Sequence, residues 1–335
     1  MASETDARKF PISDDGKFVR PPSTFTNKIE KGGKFEPEKD RYHLYVAYVC
    51  PWAGRTLIAR NLKGLQDIVS VTVCSSRMDS KGWRFDDADP DFPGSELDPL
   101  YGSSHIRDLY FKAEPNFNGR FTVPVLWDKK LETIVNNESS EIIRIFNTAF
   151  NELLPEEYAK LDLYPEDLRG EIDSLNEWMY NDVNNGVYRS GFARSQEAYE
   201  GAVKGLFEGL DRTEKILADG SKTYLVGDRL TEADVRLFVT AVSTTPSSNA
   251  IPNMTMFYTL DPIRCRLSRM FKCNIRNIRH GYPNINRWMK NLYWNNKSFS
   301  EPINFQHIKA SYYHHPAYNP TGIHPVGPIP AIEAL

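Results

Sequence analysis

Cys50-Pro51-Trp52-Ala53 is the stretch whose residue types point most directly to chemistry. The run before it, Tyr42 to Val49, is apolar, β-branched and aromatic and reads as a buried strand; a helix is expected from Pro51, whose fixed φ suits a first helical position. A cysteine at such a junction meets the unpaired N–H groups and partial positive charge of a helix start, which favour thiolate over thiol. Ala53 stands where a dithiol oxidoreductase carries its second cysteine. A mixed disulfide formed at Cys50 therefore needs an external thiol to resolve it, and glutathione is the abundant candidate in a reducing compartment. Without its strand–helix context, Cys50 would read as a small buried hydrophobe.

Two further places suit a peptide-like thiol. Val123-Pro124 opens an expected strand, where proline is tolerated because it has no ladder hydrogen to donate. A cis bond there would turn the backbone polar groups of Val123 toward a passing peptide. Asn136-Asn137-Glu138-Ser139-Ser140 precedes an expected helix. Ser139 with free N–H groups can hold a carboxylate and Glu138 can hold an ammonium, although ordinary helix capping explains both equally well.

The elements that must position these residues follow from hydrophobic spacing. Val69 to Cys74 reads as a second strand, closing a βαβ unit with Tyr42–Val49 and the helix from Pro51. Ser75 to Gly119 is long and mostly irregular, with one helical patch near Ile106 to Lys112; loops of that length tend to carry function or disorder. Val123–Trp127 and Thr133–Val135 read as a hairpin, and Ser139 to Phe150 as the next helix. From Tyr158 the spacing is helical almost throughout. Its best-signalled start is Leu230-Thr231-Glu232-Ala233-Asp234-Val235, with Asp234 placed to reach back to Thr231. The expected organisation is an irregular surface arm over 1–40, an α/β domain over 41–152, an all-helical domain over 158–312 and a tail over 313–335.

The chain has 335 residues and a formal net charge of −3, which argues against nucleic acid as a main partner. No apolar run is long enough for a membrane span, and the first residues lack the basic and apolar regions of a signal peptide. Its four cysteines, Cys50, Cys74, Cys265 and Cys273, do not make a disulfide framework, so a cytoplasmic setting with free thiols is expected. His307, His314 and His315 cluster near the end, but no Cys or His pair has zinc-ligand spacing, and no bound metal is expected.

Taken together, the motifs resemble the glutathione transferases, and among them the Xi class, the glutathionyl-hydroquinone reductases. The resemblance is carried by Cys50-Pro51-Trp52-Ala53, Gly82-Trp83-Arg84-Phe85, Arg120 through Asp128, Asn137-Glu138-Ser139-Ser140-Glu141, Asn184 through Tyr188, Asp234 through Phe238, Phe271-Lys272-Cys273-Asn274 and Pro325-Val326-Gly327-Pro328. It implies a thioredoxin-like N-terminal domain, an all-helical C-terminal domain and a homodimer. Glutathione, as co-substrate, would be bound by Trp83, Arg120, Val123, Glu138 and Ser139, with Val123 acting through its backbone. Cys50 would deglutathionylate quinone-derived aromatic conjugates, with Tyr188 and Tyr293 serving the departing ring. The same cysteine would also suit an omega-like thioltransferase or dehydroascorbate reductase, and a non-catalytic carrier of aromatic ligands is a further alternative. Between Ala241 and Met270 the sequence departs from the family pattern, and Cys265 lies in that stretch.

Overall fold

The apolar run predicted as the first strand forms β1, Tyr42–Val46, and every residue of it is buried. A continuous buried run suits a central strand covered on both faces. β2, Val69–Val73, lies parallel to β1, with α1, Pro51–Leu62, as the connection between them. β5, Val125–Asp128, runs antiparallel to the other side of β1, and β6, Thr133–Asn136, pairs antiparallel with β5. The sheet order is β2-β1-β5-β6, the thioredoxin-like arrangement that the resemblance implies. A separate hairpin of β3, Met78–Asp79, and β4, Gly82–Trp83, interrupts the long loop before α2, Ile106–Ala113. Two-residue strands are too short to leave a period in the sequence. α3, Ser139–Thr148, packs on α1.

The computed structural model describes residues 6–220, 222–242, 271–316, 319, 321–324 and 331–335. They fall into two units. The first holds Pro22–Leu163, the arm through Lys9 and the helix-bearing segment Glu301–His315; the second holds Phe10–Pro21, Tyr164–Ser300 and the end of the chain. Most of the divergent stretch Ala241–Met270, with Cys265, lies outside the described residues.

Residues 6–40 are mostly irregular; 6–9 and 22–40 belong to the first unit and 10–21 to the second. Asn27 N–H donates to the Val135 carbonyl at 3.1 Å and Asn137 N–H to that of Phe25 at 3.0 Å. Together with the Thr26–Asn136 bridge they close the exposed edge of β6. Ile29 and Phe35 are buried.

In the second unit, α4, Arg169–Trp178, passes through a π-helical turn, Met179–Asn184, into α5, Asn185–Phe192. α6, Gln196–Ile216, packs on α5 and on that turn. Gly209 permits the approach, because a Cβ there would meet Val183 Cγ2 at 2.8 Å. α7, Glu232–Val242, and α8, Pro283–Asn295, belong to the same unit. α9, Phe305–His314, the last helix among the described residues, belongs to the first unit although it follows the helices of the second in sequence. Among the described residues, no helix is long and apolar enough to cross a membrane.

β1 also buries a titratable group. His43 contacts Ser70 Oγ at 2.7 Å and Thr72 Oγ1 at 3.0 Å, and burial followed by nearby Lys129 lowers its pKa to about 4. A lowered histidine pKa stabilises the fold above the unfolded value of about 6.5, and that contribution is lost as pH falls toward 4. The stability advantage of the wild type over His43→Gln should therefore shrink by about 3 kcal/mol between pH 6.5 and pH 4. Urea titrations at both pH values check this; a constant difference would contradict a neutral buried His43.

Candidate active site

Cys50 is the N-cap of α1, with extended backbone (φ −84°, ψ 110°) and Pro51 at the first helical position. Its N–H donates to the Ala47 carbonyl at 2.9 Å, and its own carbonyl accepts from Gly54 N–H at 2.9 Å. The turn from β1 thus hands the chain to the helix with the thiol at the helix start, half-exposed. Its Sγ lies 3.5 Å from the Val123 carbonyl oxygen. The Val123–Pro124 peptide is cis, and Val123 is buried immediately before β5.

The other described cysteines are in different settings. Cys74 is fully buried, with its thiol pushed well up by desolvation, and buried Cys273 is pushed up to about 12 for the same reason. Reactivity follows thiolate fraction and access, so Cys50 is the thiol placed for chemistry among the three.

Glu138 caps α3, with one carboxylate oxygen accepting from Ser140 N–H at 3.2 Å and Ser140 Oγ at 3.1 Å. The other oxygen accepts from Ser23 Oγ at 2.9 Å. Ordinary capping is therefore real here, and it also fixes the carboxylate in place. Ser139 is buried at the first position of α3, and Arg55 Nη1 reaches its Oγ at 3.5 Å. The Arg55 guanidinium also stacks on the Trp52 ring, 4.4 Å from the centroid. A guanidinium cannot be neutralised, so Arg55 places a fixed positive charge beside the start of α3, where anionic groups are favoured.

Sequence reasoning passed over two residues that organise this region. Arg55 is 1% exposed, and its only signal was a cation on an otherwise apolar helix face. Tyr110, fully buried on α2, donates to the Thr122 carbonyl at 3.0 Å and accepts from Asn137 Nδ2 at 3.0 Å. It thereby ties the residue before Val123 to the residue before Glu138. Nothing in its local sequence marked it.

Trp83 ends β4, paired with Met78 and half-buried. Arg120 is held by the arm: Nη1 donates to the Lys9 carbonyl at 2.6 Å and Nη2 to that of Ala7 at 3.1 Å. Cys50 with Val123, and Glu138 with Ser139, are thus in direct contact, whereas Trp83 and Arg120 enter the same unit from the long loop and from beside the arm. Tyr188 and Tyr293 belong to the second unit. Tyr188, on α5, sits among Phe18, Phe192 and Phe271 with centroids 6.3, 6.0 and 5.8 Å away. Tyr293 lies on α8 against Trp294, its phenol pushed up by burial. No group of three or more potential metal ligands occurs among the described residues.

The family model for the glutathione S-transferase N-terminal domain matches residues 49–149, and that for the C-terminal domain matches residues 196–291. The chain is 51% identical to glutathione S-transferase omega-like 2 of Schizosaccharomyces pombe, over 96% of each chain. It is 46% identical to the glutathionyl-hydroquinone reductase YqjG of Escherichia coli, over 94% of this chain and 90% of that one. The glutathione-bound structure of YqjG superposes with a TM-score of 0.80 at 44% identity, covering 93% of this chain and 95% of that one. The Xi glutathione transferase of Phanerochaete chrysosporium superposes with a TM-score of 0.89 at 55% identity, covering 99% of both chains. With this similarity along nearly its whole length, and a lone cysteine at the start of α1, the chain belongs to the glutathione transferase superfamily, in the Xi class of glutathionyl-hydroquinone reductases.

Proposed function

We propose that this protein is a homodimeric glutathione-dependent reductase that removes glutathione from glutathionyl-hydroquinones. The observation that carries the reading is the half-exposed Cys50 thiol at the N-terminus of α1, 3.5 Å from the Val123 carbonyl, with alanine at position 53. In the first step the Cys50 thiolate attacks the sulfur of the thioether. The Cys50–glutathione disulfide forms, the carbon–sulfur bond breaks, and its electron pair goes to the ring carbon, which takes a proton. In the second step a glutathione thiolate attacks the mixed disulfide, releasing glutathione disulfide and restoring Cys50. The ring is reduced by two electrons, supplied by two glutathione sulfurs.

Glutathione is assigned to Trp83, Arg120, Val123, Glu138 and Ser139. Val123 would engage the peptide through its backbone, Glu138 the ammonium and Ser139 a carboxylate at the start of α3. Arg55 supports that end by placing its charge against Ser139. Tyr188 and Tyr293 are assigned to the ring, as phenolic groups that stabilise its oxygen and assist protonation. Their support is the motif match and, for Tyr188, an aromatic surrounding suited to a flat ring.

A second reading, omega-like thioltransfer or dehydroascorbate reduction, is favoured by the omega-like name of the Schizosaccharomyces pombe relative. Both chemistries use the same thiolate, so rates must separate them. With a glutathionyl-hydroquinone, dehydroascorbate and a glutathione mixed disulfide compared side by side, we expect kcat/KM to be highest for the hydroquinone conjugate by at least about tenfold, roughly 1.4 kcal/mol of transition-state preference. A preference for either other substrate would replace the first reading with the second.

A further inference from the structure

The histidines near the end of the chain hold no metal-ligand pattern, yet one of them is among the least exposed polar residues of the first unit. His307, on α9, is fully buried. Its Nε2 lies 2.9 Å from the Pro93 carbonyl and its Nδ1 3.0 Å from Ser76 Oγ. A carbonyl can only accept, so Nε2 carries the hydrogen. Burial lowers the His307 pKa and keeps the ring neutral, so Ser76 donates to Nδ1. One imidazole therefore joins the two ends of the Ser76–Pro93 loop.

That loop carries Trp83. Its hairpin begins two residues after Ser76, and Met78 pairs with Trp83. Within the loop, Arg77 and Arg84 both bind the Asp89 carboxylate, at 2.6 and 3.1 Å, so the hairpin is tied to the irregular segment that follows it. α9 grips the same segment at further points. Gln306 Nε2 donates to the Pro90 carbonyl at 3.3 Å, and His314 bridges Arg77 and Asp91 at 2.8 and 2.6 Å. The His307 ring also packs edge-on against Phe92 and against Tyr48, with centroids 5.2 and 5.3 Å away. Tyr48 lies two residues before Cys50. Two-residue strands give the hairpin little order of their own, so the loop's shape depends on those ion pairs and on where its ends are held.

We propose that His307 is a positioning residue for the glutathione site: from the far end of the chain it sets the placement of Trp83 by pinning both ends of the loop that bears it. The proposal rests on the assignment of Trp83 to glutathione. His307→Phe keeps a ring against Phe92 and Tyr48 but removes both hydrogen bonds. We expect it to raise the KM for glutathione about tenfold, with kcat at saturating glutathione held within about twofold, as for a misplaced binding group rather than a lost reacting one. His307→Gln, which can still donate toward Pro93, should recover part of that loss. In a Trp83→Ala background, His307→Phe should add nothing further to KM.

If Trp83→Ala alone leaves KM unmoved, the assignment of Trp83 fails, and the proposal with it. If Trp83→Ala raises KM and His307→Phe does not, or raises it equally in the Trp83→Ala background, the role of His307 alone is overturned. Should His307→Phe fail to fold, Ser76→Ala removes only the hydroxyl at one end of the loop. It should raise KM about threefold, the effect of one modest hydrogen bond, and an unchanged KM would overturn the proposal.

Discussion

Cys50→Ser should lower turnover of a glutathionyl-hydroquinone by at least about 10³-fold, because in the proposed reaction the sulfur is both the attacking atom and one half of the intermediate. Serine fits the same N-cap without steric change, and its hydroxyl would remain an acceptable partner for the Val123 carbonyl. It cannot, however, form a disulfide with glutathione at any pH. The loss should therefore appear in kcat, with the unfolding midpoint held within a few degrees. Intact-mass spectrometry of protein treated with glutathione disulfide gives an independent readout. Wild type should gain one glutathionyl group and Cys50→Ser none. Buried Cys74 and Cys273, with thiols pushed up by desolvation, are poor alternative sites. Residual turnover within about tenfold of wild type would remove Cys50 from the mechanism and, with it, the proposed reaction.

The parts of this molecule that could be read from sequence are those with a local signature. β1 announced itself as an unbroken apolar run, α1 by Pro51 at its start, and the β5–β6 hairpin by turn residues between two short apolar runs. Cys50, Val123, Glu138 and Ser139 could be singled out as candidates because each lies at or beside the end of an element with such a signature, Glu138 and Ser139 at the start of α3. What stayed hidden depends on partners distant in sequence. Pairing of the arm with β6 uses backbone groups that every residue possesses. Tyr110 and Arg55 look like ordinary members of helices until their polar ends meet Asn137, Thr122 and Ser139. His307 meets a loop more than two hundred positions earlier, and no periodicity connects them. The capping arrangement at Glu138 shows a further limit. Binding and capping use the same carboxylate geometry, so the residue types alone could not choose between them, and the observed hydrogen bonds allow both.

The expected effect on stability is largest at Asp234. Sequence pattern placed this residue to reach back from the start of α7, and the structure adds two partners that the pattern did not contain. Oδ2 accepts from Thr231 N–H at 3.1 Å and Thr231 Oγ1 at 3.2 Å, while Oδ1 accepts from Leu225 N–H at 2.9 Å and Trp288 Nε1 at 3.0 Å. One carboxylate thus joins the start of α7, the loop before it and the core of α8. Asp234→Ala leaves three buried N–H donors without this acceptor, and at about 1–3 kcal/mol each before relaxation, a net loss of about 3–5 kcal/mol is expected. Asp234→Asn keeps one acceptor oxygen and should lose less. The pH dependence has a definite sign. Burial outweighs the hydrogen bonds and raises the Asp234 pKa from 3.8 to about 6, so its stabilising contribution is fully present below pH 3.8 and declines as pH rises through 6. The advantage of wild type over Asp234→Asn should therefore be about 3 kcal/mol greater at pH 3.8 than at pH 7, opposite in direction to the effect at His43. Chemical denaturation of both proteins across that range decides the matter. An advantage that grows with pH would mean that the four donors, not desolvation, govern the ionisation of this carboxylate.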